Sequence, residues 1–135
     1  MVVLRRGVLF CGSLVLLAAA DGPPAVHRKI DYAHDVRPIF EKYCYDCHGP
    51  KQQFSGLRLD SKDAVMRQGG YSGQVIIPGD GEGSRLFRMV AGIDGMPMPI
   101  GEPKPTRAEI EILRAWIDQG AVWPDSPSAP RSKHK

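Results

Sequence analysis

Apolar residues recur at helical spacing near the end of the chain, and they predict its clearest helix. Ile110, Leu113 and Trp116 fall on one face of such a helix, with polar residues between them. Thr106 and Glu109 have the spacing of a capping box, in which each side chain accepts a hydrogen bond from the other residue's backbone N–H. The pattern therefore predicts an amphipathic helix that begins after Thr106 and ends at Gly120.

Three shorter apolar patterns are also typical of helices. Each begins after a residue that favours a helix N-terminus, and Pro38 is tolerated in the first turn of the earliest one. Asp35 is the expected cap of the first helix, Asp60 or Ser61 of the second and Ser84 of the third. The predicted ranges are residues 35–43, residues 61–68 closed by Gly69-Gly70, and residues 85–91 ended by Gly92.

Long loops separate these helices. Four prolines follow Gly95 in residues 95–105, which excludes helix there and predicts a stiff, extended segment. The apolar patch at residues 75–77 lies in another loop, and Val122 and Trp123 are expected to fold back on the body. Short helices and long loops make a poor core for about 100 residues, so a buried apolar group is expected to complete it.

The run Cys44-Tyr45-Asp46-Cys47-His48 is a C-x-x-C-H motif, which predicts covalent attachment of a c-type haem. In a helical turn Cys44 and Cys47 project from one face, so both sulfurs can reach the vinyl groups along one porphyrin edge. His48 lies close to the same face and can bind the iron as proximal ligand. The motif thus predicts a single haem c bound through Cys44 and Cys47.

Two other uses of a CxxC pair fit the chain less well. Structural zinc takes about four Cys or His ligands, whereas the other histidines of this chain are scattered. A thioredoxin-like pair belongs in a βαβ unit, and the flanks here are rich in Gly and Pro.

The two ends of the chain differ in composition from the body. Residues 1–20 combine two arginines, an apolar stretch and Ala18-Ala19-Ala20, as in a cleaved export signal, and Cys11 is expected to leave with it. The apolar stretch of 14 residues is short for a membrane span, although an uncleaved anchor is the alternative. We therefore predict a signal peptide (1–20), a flexible leader (21–31), one domain (32–124) and a disordered Pro/Ser/basic tail (125–135). The mature protein is then expected to be periplasmic or otherwise exported.

The charge distribution gives no sign of a nucleic-acid partner. The formal net charge is +3, but residues 21–124 contain 13 basic and 14 acidic side chains and are close to neutral. A basic face for nucleic acid is therefore not expected.

A second axial ligand can be sought among the methionines. Met96 and Met98 lie in the proline-stiffened segment about fifty residues past the haem motif, whereas Met66 and Met89 lie on predicted helices and are expected in the core. Methionine ligation raises the potential of a haem iron. Met96 is favoured because it follows Gly95, where the backbone can approach a haem most easily, and Met98 is the alternative. His27 and His34 are the histidine alternatives.

Beyond these local signals, the chain resembles the small monohaem cytochrome c domains of planctomycetes and acidobacteria over about residues 32–124. The matching stretches are DVRPIFEKYCYDCHGP from Asp35, SGLRLDS from Ser55, IPGD from Ile77 with SRLF from Ser84, the MP-containing loop, and AEIEILRAWIDQGA from Ala108. The resemblance implies an all-α cytochrome c fold of three to five short helices with long loops around one covalent haem. It also implies His48 as proximal ligand and a methionine of the MP loop as distal ligand.

Three functions are consistent with these features. The first is an exported electron carrier, not an enzyme, that docks weakly on larger redox proteins or belongs to a redox complex, with any membrane association through that partner or an uncleaved signal. The second is a five-coordinate haem protein that binds or reduces a small ligand such as peroxide. The third is a haem-free interaction module whose CxxC forms a disulfide.

Arg58 could pair with a haem propionate, or be an ordinary surface arginine.

Overall fold

The computed structural model describes residues 26–67 and 73–124 of the chain. Within these ranges there are five α-helices, no strand, and one isolated antiparallel bridge between His48 and Gln53. The helices are α1 (Arg37–Tyr43), α2 (Tyr45–His48), α3 (Lys62–Arg67), α4 (Arg85–Val90) and α5 (Arg107–Asp118). A π-helical segment (Tyr32–Val36) precedes α1, and a 3-10 turn (Phe54–Gly56) follows α2. The predicted all-α architecture with long loops is confirmed.

Several predictions concern residues outside the described ranges. These are the signal peptide, Cys11, most of the leader, the end of the second helix at Gln68 and Gly69-Gly70, and the C-terminal tail. Among the described residues, every helix is too short or too polar to span a lipid bilayer.

The first helical segment begins earlier than predicted. The Asp31 side chain, not that of Asp35, caps it by accepting a 2.9 Å hydrogen bond from the backbone N–H of His34. Asp35 instead accepts hydrogen bonds from the Asp31 N–H and from the Arg28 guanidinium, whose two N–H groups lie 2.7 Å from its carboxylate oxygens. Asp31 and Asp35 are both of a residue type that favours a helix N-terminus. Because Arg28 binds the Asp35 carboxylate, Asp31 supplies the cap.

The end of the predicted leader packs on the domain. Ile30 is buried, and its N–H donates to the Gln119 side chain just past α5 at 2.8 Å. The Gln119 amide in turn donates to the Arg28 carbonyl at 2.9 Å. These contacts hold residues 28–30 against the end of α5.

The core is centred on an aromatic cluster, defined as Tyr32, Phe40, Trp116 and Trp123. All four side chains are buried, and the ring centroids of Tyr32 and Trp123 are 4.2 Å apart. Phe40 meets Trp116 edge to face at 6.0 Å, and Trp116 meets Trp123 at 5.5 Å, both distances at which aromatic pairs attract. The cluster joins the beginning of the domain to its end.

The polypeptide turns back after α5 at Gly120, whose φ of +100° is available to glycine without strain. The Trp116 indole N–H donates to the Val122 carbonyl at 3.0 Å and fixes the returning segment. Trp123 is buried as predicted, but the Val122 side chain is exposed. The expectation that both side chains fold back was therefore correct for Trp123 alone.

Ser84 precedes α4 as predicted, but its hydroxyl does not cap the helix. The Ser84 side chain is fully buried, accepts a hydrogen bond from the Ile77 N–H at 2.8 Å and donates to the Asp80 carbonyl at 2.7 Å. It thereby closes the loop that precedes α4. The same loop leaves Val75 and Ile76 in the core and Ile77 exposed.

Glu109 links α5 to the end of α1. The predicted capping box is confirmed: Glu109 accepts from the Thr106 N–H at 2.7 Å, and Thr106 Oγ1 accepts from the Glu109 N–H at 3.2 Å. The same carboxylate accepts a 3.0 Å hydrogen bond from the hydroxyl of Tyr43, the residue before Cys44. Burial raises the pKa of Glu109, but the hydrogen bonds from Thr106 and Tyr43 outweigh it, so the pKa lies below its usual value.

We expect Glu109→Ala to lower the free energy of unfolding at pH 7 by about 1 to 2 kcal/mol, because a cap and a bond to a charged acceptor are lost. An acid with a lowered pKa contributes stability above its unfolded value, near 4.3, that is lost as the pH falls through the folded value. The difference from wild type should therefore shrink below about pH 4. Urea unfolding between pH 3 and 7 measures it. Glu111→Ala, on the same helix, is the matched control, and an equal loss there would contradict the assignment.

Candidate haem site

The C-x-x-C-H motif folds as the helical turn that its spacing predicts. The Cys44 N–H donates to the Phe40 carbonyl at 2.9 Å, so α1 ends at the motif, and Cys44 alone, with a φ of −122°, separates it from α2. The N–H groups of Cys47 and His48 both donate to the Cys44 carbonyl, at 3.2 and 2.8 Å. Both thiols are free, with Cys44 half-buried and Cys47 exposed.

The two cysteines differ in their surroundings. Burial raises the pKa of the Cys44 thiol to about 12, with a smaller contribution from the neighbouring Cys47. The Cys44 thiol is therefore protonated at neutral pH, and a thiol is a weaker nucleophile than a thiolate.

The backbone of His48 is held by a hydrogen bond, and its ring is partly enclosed by the protein. Its carbonyl accepts from the Leu59 N–H at 2.7 Å, which ties the motif to the segment before α3. The imidazole is half-buried, and its Nδ1 is enclosed without a hydrogen-bond partner of good geometry. Burial lowers the His48 pKa, although the nearby carbonyls of Leu57 and Phe54 act in the opposite direction. The neutral imidazole, which is the form that binds metals, is thus favoured.

Gly49 completes the turn for a steric reason. A Cβ at this buried position would lie 2.3 Å from the Tyr45 carbonyl oxygen, so a larger residue would displace the backbone of the motif. The Gly49 N–H donates to the Gln52 carbonyl at 2.9 Å, and this reverses the chain after His48.

Tyr45, inside the motif, reaches the aromatic cluster. Its hydroxyl lies 3.3 Å from that of Tyr32, and its ring centroid is 6.3 Å from that of Phe40. Burial raises the pKa of both tyrosines, so both hydroxyls are protonated at neutral pH. No local pattern in the sequence predicts this contact, because 13 residues separate the two tyrosines.

The two candidate methionines differ in exposure. Met96 is 58% exposed, whereas Met98 is half-buried and its N–H donates to the Met89 carbonyl at 3.0 Å. Gly95 has a φ of +80°, which permits the turn immediately before Met96. His27 and His34, the histidine alternatives, are both exposed.

Arg58 is engaged by its neighbour. Its Nε and Nη2 donate to the two carboxylate oxygens of Asp60 at 2.8 and 3.0 Å, which raises the Arg58 pKa. The Arg58 guanidinium is therefore already paired with Asp60, as expected for an ordinary surface arginine.

These residues fit a covalent haem. The motif offers two free thiols beside an imidazole whose Nδ1 faces the protein, and Gly49 leaves no room for a side chain. Several large apolar side chains are exposed and could lie against a porphyrin: Phe54, Ile77, Ile93, Met96 and Ile100.

Comparison with known proteins supports the same conclusion. Residues 44–100 match the family described as Planctomycete cytochrome C. No curated protein and no solved structure shows significant similarity to the chain. The matched residues begin at the first cysteine of the motif and end just after the two methionines, and the family implies covalently bound haem. The match over residues 44–100 thus supports a planctomycete-type c-type cytochrome domain in this part of the chain.

Proposed function

We propose that the protein is an exported monohaem cytochrome that passes electrons between larger redox proteins by outer-sphere transfer. The observation that carries the proposal is the C-x-x-C-H turn, with free thiols at Cys44 and Cys47 and a His48 ring whose Nδ1 is enclosed by protein. Bound haem c would supply the one-electron iron couple. In this proposal the protein is a carrier or a subunit of a redox complex and catalyses no reaction of its own.

The residues of the chain have distinct tasks in this function. Cys44 and Cys47 would hold the haem covalently, and His48 would bind its iron. A methionine of residues 95–99 would supply the second protein ligand, with Met96 favoured and Met98 the alternative. A rigid pair of axial ligands keeps the iron from rearranging when its charge changes.

We expect spectra of the oxidised protein to identify the distal ligand. The wild type should be low-spin with a methionine-to-iron charge-transfer band, and either Met96→Ala or Met98→Ala should abolish that band while the other keeps it. Optical and magnetic spectra of protein made with haem-attachment machinery measure this. Met66→Ala, on α3, is the control and should retain the band.

The same material separates the proposal from a ligand-binding haem protein. A reduced carrier with both axial positions filled should bind carbon monoxide slowly or not at all. A high-spin wild type that neither methionine variant alters, together with rapid carbon monoxide binding, would contradict the carrier. Secretion of a processed protein from a bacterial host, with its N-terminus near Asp21, tests the proposed export.

A further inference from the structure

The methionines lie on a loop that is closed at both ends by one helix. In this methionine loop, residues 92–99, the Ile93 N–H donates to the Arg88 carbonyl at 2.7 Å, and the Met98 N–H donates to the Met89 carbonyl at 3.0 Å. Both acceptors belong to the last turn of α4, and Gly92, with a φ of +74°, begins the reversal. The loop therefore starts and ends on the same helical turn.

That helical turn is itself fixed in the core. Leu86, Phe87 and Val90 of α4 are buried, and the Leu86 N–H donates to the Val75 carbonyl at 2.9 Å. Because α4 is fixed in the core, the loop residues that are hydrogen-bonded to it are held in a defined position.

A single ion pair joins the side of the helix to the tip of the loop. The Arg88 guanidinium donates through Nε at 2.8 Å and Nη2 at 2.6 Å to one carboxylate oxygen of Asp94. Asp94 directly precedes Gly95-Met96, and 25% of its side chain is exposed against 43% for Arg88. The side chains of the other loop-tip residues, 93 and 95–97, are exposed.

We propose that Arg88 and Asp94 are positioning residues for the distal methionine. The pair holds the methionine loop closed against α4, so that the sulfur stays near the iron instead of swinging away with the loop tip. Neither residue touches the iron, and the effect is on how often the methionine leaves it. The inference rests on the proposed methionine ligation and adds to it the device that maintains it.

Imidazole is the probe, because it replaces a methionine on oxidised haem iron only after the iron–sulfur bond has opened. We expect Asp94→Asn and Arg88→Gln each to raise the limiting rate of imidazole binding about two- to fivefold, the range for a partly exposed ion pair. Hydrogen exchange of the Met98 amide should accelerate in the same variants, which reports loop opening independently of the iron. In the wild type, 1 M salt should shift both rates towards those of the variants.

Two further variants make the result specific. Glu82→Gln removes another exposed ion pair of 2.7 Å, that with Arg114, and should change neither rate. The charge exchange Arg88→Asp with Asp94→Arg should restore both rates towards wild type. Unchanged rates in Asp94→Asn, in a protein whose methionine-to-iron band is intact, would overturn the positioning role alone. Absence of that band in the wild type would overturn the methionine ligation, and the positioning role with it.

Discussion

The variant lacking both Cys44 and Cys47 is expected to carry no covalent haem. Each thiol adds across one vinyl group, so the two alanine substitutions remove both bonds, whereas either single substitution leaves one thioether and a haem that remains attached. Intact mass of the denatured protein measures this directly, because only covalently bound haem survives denaturation. The expected shift is the mass of one haem in the wild type and in each single variant, and none in the double variant.

Asp46→Ala is the matched control for these cysteine variants. Asp46 lies between the cysteines, is exposed, and belongs to the same helical turn, so the spacing of the motif is preserved. Its mass should include the haem. A wild type without the haem mass, and with Cys44 and Cys47 joined in a disulfide, would instead support a haem-free interaction module.

The largest expected loss of stability follows from Trp116→Ala. Trp116 is 1% exposed, contacts the rings of Tyr32, Phe40 and Trp123, and donates to the Val122 carbonyl. Removing a buried indole leaves a cavity and an unpaired carbonyl, which costs about 3 to 5 kcal/mol. Denaturant unfolding of the haem-loaded protein, followed by far-ultraviolet circular dichroism, measures the difference.

Val122→Ala is the control for that experiment, because it changes a nearby side chain that is not buried. Val122 is six residues from Trp116 and accepts its hydrogen bond through the backbone, but its side chain is 62% exposed. The substitution should change the free energy of unfolding by less than about 0.5 kcal/mol. Equal losses in the two variants would mean that the aromatic cluster does not carry the stability assigned to it.

The parts of the fold that could be predicted from sequence are those specified by neighbouring residues. The capping box of Thr106 and Glu109, the apolar face of α5 and the turn at Gly120 each depend on residues within one or two helical turns. The C-x-x-C-H motif is local in the same sense, which explains why five adjacent residues were enough to predict the haem.

What could not be predicted depends on distant partners. Asp35 is of a residue type that favours a helix cap, but its carboxylate binds Arg28, and Asp31 caps the helix instead. The Gln119 side chain accepts a hydrogen bond from the N–H of Ile30, 89 residues away in the sequence. No local pattern predicts this bond. The exposed tip of the methionine loop is the remaining case, because two Met-Pro pairs offer the same chemistry two residues apart.

The aromatic cluster has a consequence for the order of folding. Tyr32 and Phe40 come before the haem motif in the chain, whereas Trp116 and Trp123 come near the end of the described residues. Contacts between such distant segments must pay for closing a long loop before they add stability. The aromatic cluster therefore cannot close until the chain has been synthesised through Trp123. Until then the Cys44 thiol lacks the surroundings whose burial raises its pKa.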